Sequence, residues 1–216
     1  IANRYRAVLP AESMPDVMSK LKGAKACLLV NPNNPTDEQL ISVAGFNAKA
    51  FMDAITYARN LPGYNDGTPN PVRETICAYL EFSSKKASHA HGYYNSEIGL
   101  SRVKMGTKLN TADTVYHEHT HARWHAINGD DQGTTTGDEL LADTVLNEAS
   151  AFARTFIAFQ IKRLTTSDKR EAVAINGHLK KEYPLSFETF KQLEELYGPE
   201  RIKEHIASTG QLPPEI

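Results

Sequence analysis

Apolar residues in the second half of the chain recur at intervals of three and four, the spacing of one face of a helix. From about residue 138 onward this pattern predicts four successive helices. Their expected ranges are about 138–164, 168–182, 187–197 and 199–207. Asp138 and Ser186 are the predicted N-caps of the first and third helices, and Gly198 is expected to end the third.

The first half contains shorter apolar runs separated by residues that favour turns. The runs predict three strands, at Lys25–Val30, Thr75–Phe82 and Ser96–Val103. Residues 31–35 and 60–71 have the composition of loops, and so does the segment 130–137 before the first of the later helices. Residues 83–95 have the composition of a surface loop or the end of a hairpin.

Three helices are also predicted in the first half. The first covers about 10–22. The second begins at Thr36, since Thr36 and Gln39 form a capping box, and continues to about 58 with Leu40, Val43, Ala44, Phe51, Ile55 and Ala58 at helical spacing. The third begins near Thr111 or Asp113 and ends at Asn128-Gly129.

A group of strands followed by a run of helices predicts an α+β fold with a small sheet. The length of 216 residues fits a single domain spanning 1–216. We expect a sheet-containing part over about 1–128 and a helical part over about 138–216.

Composition and charge exclude some partners. The formal net charge is -2 and the chain has no basic run, so no nucleic-acid partner is expected. No apolar run is long enough to span a membrane. Cys27 and Cys77 are too few for a disulfide framework. They are expected as buried thiols, with a single bridge as the alternative.

One stretch has chemistry that its spacing defines. His117, Glu118 and His121 form the pattern H-E-x-x-H within a predicted helix. The two histidines then lie one turn apart on the same face, so both imidazoles can bind one metal ion. Glu118 lies beside them, where its carboxylate can hold and deprotonate a metal-bound water. The pattern therefore predicts a catalytic metal site.

The other residues of this helix support that prediction. At about 100° per residue, the apolar residues fall on the half opposite His117: Ala112, Val115, Tyr116, Ala122, Ala126 and Ile127. His119 falls in the apolar half, so we expect it to be buried and hydrogen-bonded. His125 is about 12 Å from His117 along the axis, too far to share its ion, and is expected at the rim.

A catalytic zinc usually has three protein ligands, and the downstream candidates for the third are Glu139, Asp143 and Glu148. Glu139 falls in a first helical turn, where an acidic residue stabilises the helix dipole. Asp143 falls on a polar face with Asn147, where it is solvated or supports a ligand histidine. Glu148 falls within the apolar stripe Leu141, Val145, Phe152, Phe156 and Phe159, where an unpaired carboxylate is costly. Glu148 is therefore the predicted third ligand.

These motifs resemble the zincin metallopeptidases of the gluzincin, or thermolysin-like, type. The resemblance consists of H-E-x-x-H at 117–121 followed on the next helix by Asn147-Glu148-Ala149, and it covers about 96–159. The chain departs from the pattern in two respects. The gap between the motif and Glu148 is longer than in thermolysin, and Phe152 stands where an acidic residue is expected. The chain is most similar in type to small bacterial zincins, which include secreted effector proteases.

The resemblance implies a zincin-like fold, in which a small mixed sheet has its edge strand packed on the motif helix and a mostly helical half follows. It implies one catalytic Zn²⁺ bound by His117, His121 and Glu148. Glu118 would then be the general base in the hydrolysis of a peptide or protein substrate. Ser96–Val103 is placed in the sequence to be the edge strand that pairs with that substrate.

Several questions stay open at this point. The chain could be a metal-dependent hydrolase of a non-peptide substrate, or an inactive zincin-fold module that binds a partner. The residue that helps to stabilise the oxyanion is also open, with six candidates: His89, His91, His178, Tyr183, Tyr197 and His205. The chain begins at Ile1 without methionine, so we expect a processed or trimmed product, from either the bacterial cytoplasm or a secreted pool.

Overall fold

The structure, a computed structural model, describes residues 24–31, 34–65, 75–79, 91–95, 99–128 and 137–209. It shows an α+β fold, as the sequence predicted. The helix predicted at 10–22 lies outside the described residues, as does nearly all of the loop predicted at 130–137.

The described residues form a five-stranded mixed sheet. The strands are β1 (Ala24–Asn31), β2 (Asn34–Ser42), β3 (Thr75–Tyr79), β4 (Gly92–Asn95) and β5 (Leu100–Lys104), and their order in the sheet is β2-β1-β3-β5-β4. β3 and β5 are parallel, whereas the other neighbouring pairs are antiparallel. The predicted mixed sheet is thereby confirmed.

The helix predicted from Thr36 is wrong over its first part. That segment is strand β2, which pairs with β1 in a register that sets Leu28 opposite Leu40, and the helix α1 begins only at Ala48 and ends at Arg59. The Asn47 side chain accepts the N-terminal hydrogen bond of α1 from Ala50. A capping box contributes only about 1 kcal/mol, which is less than a strand gains by pairing along its whole length.

The edge strand is also not the predicted one. The strand predicted at 96–103 is β5, and it lies inside the sheet between β3 and β4. β4 is an edge strand, antiparallel to β5, in a segment that the sequence predicted as a surface loop or the end of a hairpin. A short edge strand pairs on one side only and has little apolar area to bury, so it lacks the alternating pattern by which strands are recognised.

Among the described residues, five helices follow the sheet strands: α2 (Lys108–Asn128), α3 (Gly137–Thr165), α4 (Lys169–Glu182), α5 (Pro184–Tyr197) and α6 (Pro199–Thr209). α2 begins earlier than predicted, because the Thr107 hydroxyl already accepts a hydrogen bond from the backbone N–H of Asn110. α5 also begins earlier, at Pro184, whose missing N–H costs nothing in a first turn. The end of α2 is as predicted.

The helices cover one face of the sheet. Ala26, Leu28, Ile76, Ala78 and Val103 point into the main core, which also contains Phe51, Ile55, Tyr116, Phe159 and Leu179 from the helices. α2 lies at the centre, in contact with α1, α3, α4, β4 and β5. Within the described part of the chain, none of the helices combines the length and the apolar character needed to cross a membrane.

The two cysteines form a disulfide on the opposite face of the sheet. Cys27 and Cys77 are paired across β1 and β3, are fully buried, and pack with Leu100 in a small separate cluster. The bridge that the sequence left as an alternative to buried thiols is therefore present.

We expect the double variant Cys27→Ala/Cys77→Ala to be less stable than the wild type by about 2–4 kcal/mol. The bridge joins residues 50 positions apart and so restricts a long loop of the unfolded chain. Urea denaturation, followed by circular dichroism, measures the difference. Dithiothreitol should destabilise the wild type and leave the variant unchanged, and equal midpoints for the oxidised wild type and the variant would contradict the expectation.

Candidate metal centre

Helix α2 is buried along most of its length, although many of its residues are polar. Ala112, Val115 and Tyr116 pack in the core, as predicted, but Ile127 at the end of the helix is 66% exposed. The side chains of Glu118, His119, Thr120 and His121 are all less than a tenth exposed. Polar groups at this depth need partners, and these partners determine how α2 is oriented.

One face of α2 holds the loop that follows α1. The Tyr116 hydroxyl donates to the carbonyl of Pro62 at 2.7 Å, and Arg123 donates to the carbonyl of Gly63 at 2.8 Å. His119 Nε2 is 2.9 Å from the carbonyl oxygen of Tyr64, which can only accept, so Nε2 carries the proton. The His119 ring also stacks on the Tyr64 ring. His119 is therefore buried and hydrogen-bonded, as predicted.

The opposite face of α2 brings together the three predicted metal ligands. His117 Nε2 and His121 Nε2 are 3.0 Å apart. The Glu148 carboxylate on α3 approaches both of them, at 3.4 Å from His117 Nε2 and 3.5 Å from His121 Nε2. One ligand atom from each residue lies within 4.8 Å of the other two.

This geometry fits a zinc ion. Ligand atoms about 2.0–2.2 Å from a tetrahedral Zn²⁺ lie roughly 3.3 Å from one another. The two imidazole nitrogens are 3.0 Å apart, and one Glu148 oxygen lies 3.4 Å from His117 while the other lies 3.5 Å from His121. The donor set of two imidazole nitrogens and one carboxylate is also one that zinc takes in catalytic sites. Burial and the neighbouring His121 lower the pKa of His117 to about 4, against an opposing effect of Asp113, so at neutral pH its imidazole is in the form that binds metal.

Asn147, next to Glu148 on α3, is hydrogen-bonded to one of the predicted ligands. Its Oδ1 lies 2.9 Å from His121 Nδ1, so Nδ1 carries a proton and Nε2 has its lone pair free for a metal. The sequence placed Asn147 on the far polar face, and this prediction is wrong. Asn147 and Glu148, which are consecutive on α3, both contact the histidines. A helical wheel that assumed a single buried stripe could not predict this.

The argument that singled out Glu148 is wrong in part. The predicted apolar stripe is not uniformly buried, because Val145 is 58% and Phe152 is 53% exposed, whereas Phe156 and Phe159 are in the core. Half of the Glu148 side chain is accessible as well. The exposed part of the stripe therefore lies next to the cluster of His117, His121 and Glu148. What supports Glu148 as the third ligand is its proximity to the two histidines, not its burial. The side chains of the alternatives Glu139 and Asp143 lie outside the described residues.

Glu118 is enclosed between α2 and the edge strand. It is 4% exposed, and Gly92 of β4 lies directly against it. A Cβ at position 92 would come inside van der Waals contact with Glu118 Oε1 and Thr114 Cγ2. Burial, with the charge of Glu148 adding to it, raises the pKa of Glu118 to about 8. A carboxyl with this pKa can take up and release a proton near neutral pH.

Two of the candidates for stabilising the oxyanion are engaged elsewhere. His178 Nε2 is 2.8 Å from Asp113 Oδ2, and the Tyr183 hydroxyl donates to the same carboxylate at 2.9–3.0 Å. Both side chains are buried. Of the other candidates, Tyr197 and His205 lie on α5 and α6, His91 precedes β4, and His89 is outside the described residues.

The sequence considered Asp113 only as a helix cap. In the structure its carboxylate is hydrogen-bonded to His178 and Tyr183, 65 and 70 residues away, a contact that no local pattern predicts. His125 is partly buried and lies beside the ring of Tyr94 on β4.

The chain matches no protein-family model, and neither a curated protein nor a solved structure is significantly similar to it. The zincin-like character of the fold therefore stays a prediction based on the motifs.

In chelator-treated protein, we expect Glu118→Gln to become increasingly stabilising between pH 5 and pH 8. Folding raises the pKa of Glu118 from 4.5 to about 8, so in this interval the folded state keeps a proton that the unfolded state has released. The contribution of this carboxyl to the free energy of unfolding then decreases with pH, and glutamine removes the effect.

Thermal unfolding at several pH values measures it, as the difference in Tm between variant and wild type. Glu204→Gln, at an exposed position on α6, is the matched control and should show no such trend. A Tm difference that does not change with pH would contradict the assignment.

Proposed function

We propose that the protein is a zinc-dependent peptidase. The observation that carries the proposal is the convergence of His117, His121 and Glu148, three electron-pair donors from two helices, beside the buried carboxylate of Glu118. A cation bound there would contact all three side chains at once, whereas without one they depend on hydrogen bonds among themselves, such as that between the two imidazoles. A structural zinc site would close four protein ligands around the ion, whereas the described part of the chain brings three together, which leaves a position for water.

His117, His121 and Glu148 would hold the ion, and Asn147 would keep His121 in the correct tautomer. A zinc ion bound there would polarise the scissile carbonyl and lower the pKa of the attacking water. Glu118 takes the proton of that water and then transfers it to the leaving amine. The burial that raises the pKa of Glu118 makes both transfers feasible near neutral pH.

The sheet favours a peptide over other substrates. In the described part of the chain, β4 pairs only with β5 and lies against Glu118 through Gly92. We propose that an extended peptide binds along this strand as an additional strand. Such a peptide would lie beside the base and the ligand cluster. Hydrolysis of a non-peptide substrate and a purely binding role are the alternatives.

Zinc content tests the ligand set. We expect one zinc per wild-type chain by mass spectrometry, and a large loss of zinc in His121→Ala and Glu148→Ala, because each removes one of three ligands. His125→Ala removes a histidine of the same helix outside the cluster and should keep the metal. Wild-type protein that takes up no zinc when supplied with it would overturn the proposal.

Turnover tests the role of Glu118. Glu118→Gln should retain zinc and fold while losing cleavage of a peptide library by at least about a hundredfold, since the variant cannot accept the proton. Cleavage of non-peptide esters or amides but not of peptides would favour a metal-dependent hydrolase of a non-peptide substrate. A wild type that binds zinc but cleaves nothing would favour the binding module, and an active Glu118→Gln would exclude the mechanism.

The edge strand provides a second test of the base. Gly92→Ala should reduce kcat by about tenfold or more with little change in zinc content, because the new Cβ displaces the Glu118 carboxylate. The matched control is Gly177→Ala on α4, where a Cβ meets nothing within 4 Å, and it should be as active as the wild type. Equal kcat in the two variants would show that Gly92 does not position the base.

The disulfide supports an oxidising compartment for the proposed peptidase. Buried structural disulfides such as Cys27–Cys77 are rare in a reducing cytosol and common in exported proteins. Of the two compartments that the sequence left open, secretion is therefore the one we propose. Alkylation of denatured protein from its native source, where the bridge should block both cysteines, tests this.

A further inference from the structure

The rings of His117 and His121 are held in different ways. Nδ1 of His121 is hydrogen-bonded to Asn147, which fixes the ring and leaves Nε2 directed at the cluster. His117 is bonded to His121 through its own Nε2, and within the described part of the chain no hydrogen bond reaches its Nδ1. Ligand histidines in metal sites usually have this second nitrogen hydrogen-bonded, which sets the orientation of the ring. A different contact therefore orients His117.

The ring of Phe152 makes that contact. Phe152 lies on α3 four residues after Glu148, and its ring packs edge-on against the His117 imidazole, with the centroids 4.7 Å apart and the planes at 67°. Edge-to-face packing is a preferred arrangement of aromatic rings at this distance. Rotation of the imidazole about its Cβ–Cγ bond would break the packing and turn Nε2 away from the cluster. The contact therefore favours the orientation in which His117 can bind a metal ion.

Phe152 is itself held by a row of aromatic rings that extends to the core. Its ring lies 6.2 Å from the ring of Tyr183, between α4 and α5, and Tyr183 lies 5.7 Å from Phe156. Phe156 in turn lies 6.1 Å from Phe190 on α5, and both of these phenylalanines are buried. The Tyr183 hydroxyl is fixed by its hydrogen bonds to Asp113. Phe152 is half-exposed, so it forms the outer end of a row whose inner end is immobile.

We propose that Phe152 is a positioning residue that orients the His117 ring for metal binding. This inference rests on the proposed zinc site. A ligand that already has its bound orientation loses less conformational freedom when the ion binds, so the ion binds more tightly. The free energy of one edge-to-face pair corresponds to roughly a two- to twelvefold change in an equilibrium constant. Phe152 would act through His117 and would supply no ligand atom itself.

The test is the zinc dissociation constant, measured by competition with a chromophoric chelator. We expect Phe152→Ala to weaken zinc binding by about two- to twelvefold, and Phe152→Tyr, which keeps the ring, to bind zinc like the wild type. Leu146→Ala is the matched control and should also keep the wild-type affinity. Leu146 is as exposed as Phe152, and it lies two residues before Glu148, on the opposite side of α3.

A second readout separates positioning from a general loss of stability. With Co²⁺ bound in place of zinc, the visible absorption spectrum reports the arrangement of the ligands around the ion. We expect the spectrum to change in Phe152→Ala and to stay unchanged in Phe152→Tyr and Leu146→Ala. The Tm of each chelator-treated variant measures stability independently of the metal.

The outcomes separate the inference from the function on which it rests. A wild type that binds no zinc would overturn the metal site and the inference with it. If the wild type binds zinc and Phe152→Ala loses less than twofold in affinity, the inference is wrong and the peptidase proposal stands, even where the Tm has fallen. A larger loss that Phe152→Tyr restores supports the inference, whereas an equal loss in Phe152→Tyr or in Leu146→Ala overturns it.

Should Phe152→Ala fail to fold, Phe152→Leu decides, because leucine keeps an apolar side chain at this position and removes only the ring. Zinc binding weakened by twofold or more in Phe152→Leu then supports the inference, and unchanged binding overturns it.

Discussion

The arrangement of the elements depends on the free-energy cost of burying the polar residues of one helix, α2. α2 runs through the centre of the domain, and between Thr111 and Arg123 it contains seven buried polar residues. Most of them have evident partners: threonines bond to the backbone of α2 or of the loop before it, His119 and Arg123 bond to the loop at 61–64, and His121 bonds to Asn147. Because each missing bond would cost about 1–3 kcal/mol, the neighbouring elements are positioned as much by these bonds as by apolar packing.

Because its polar residues need partners, each face of α2 packs against a different neighbouring element. The loop after α1 takes the face with Tyr116, His119 and Arg123, whereas β4 lies against Thr114 and Glu118. The face that carries His117 and His121 is directed at α3, where Glu148 completes the cluster. Here two imidazoles and a carboxylate converge, three groups that can each donate an electron pair to one cation.

The two histidines of the cluster have different surroundings. His121 bonds to an amide on α3, whereas His117 packs against the ring of Phe152. Within the described residues, α4 to α6 carry none of the three converging ligand atoms, and α4 is joined to α2 by the hydrogen bond between His178 and Asp113.

The sequence by itself determined the local features. The H-E-x-x-H spacing identified His117, Glu118 and His121, since a one-turn separation on a helix places side chains on one face whatever surrounds them. Periodicity over many residues also predicted α3 to α6 and the α+β order. Glu148 was identified too, but partly for a wrong reason, because the stripe around it proved to be half open.

Only the tertiary structure decided the features that depend on distant partners. Whether 36–42 forms a helix or a strand was settled by pairing with β1, and Gly-Tyr-Tyr-Asn became an edge strand because β5 was there to pair with it. The same holds for Asn147 facing His121, for Gly92 against Glu118, and for Asp113 between His178 and Tyr183, which are 65 and 70 residues away in sequence. Such contacts leave no periodic signal, since they arise from the packing angle between elements and not from the order of residues within one.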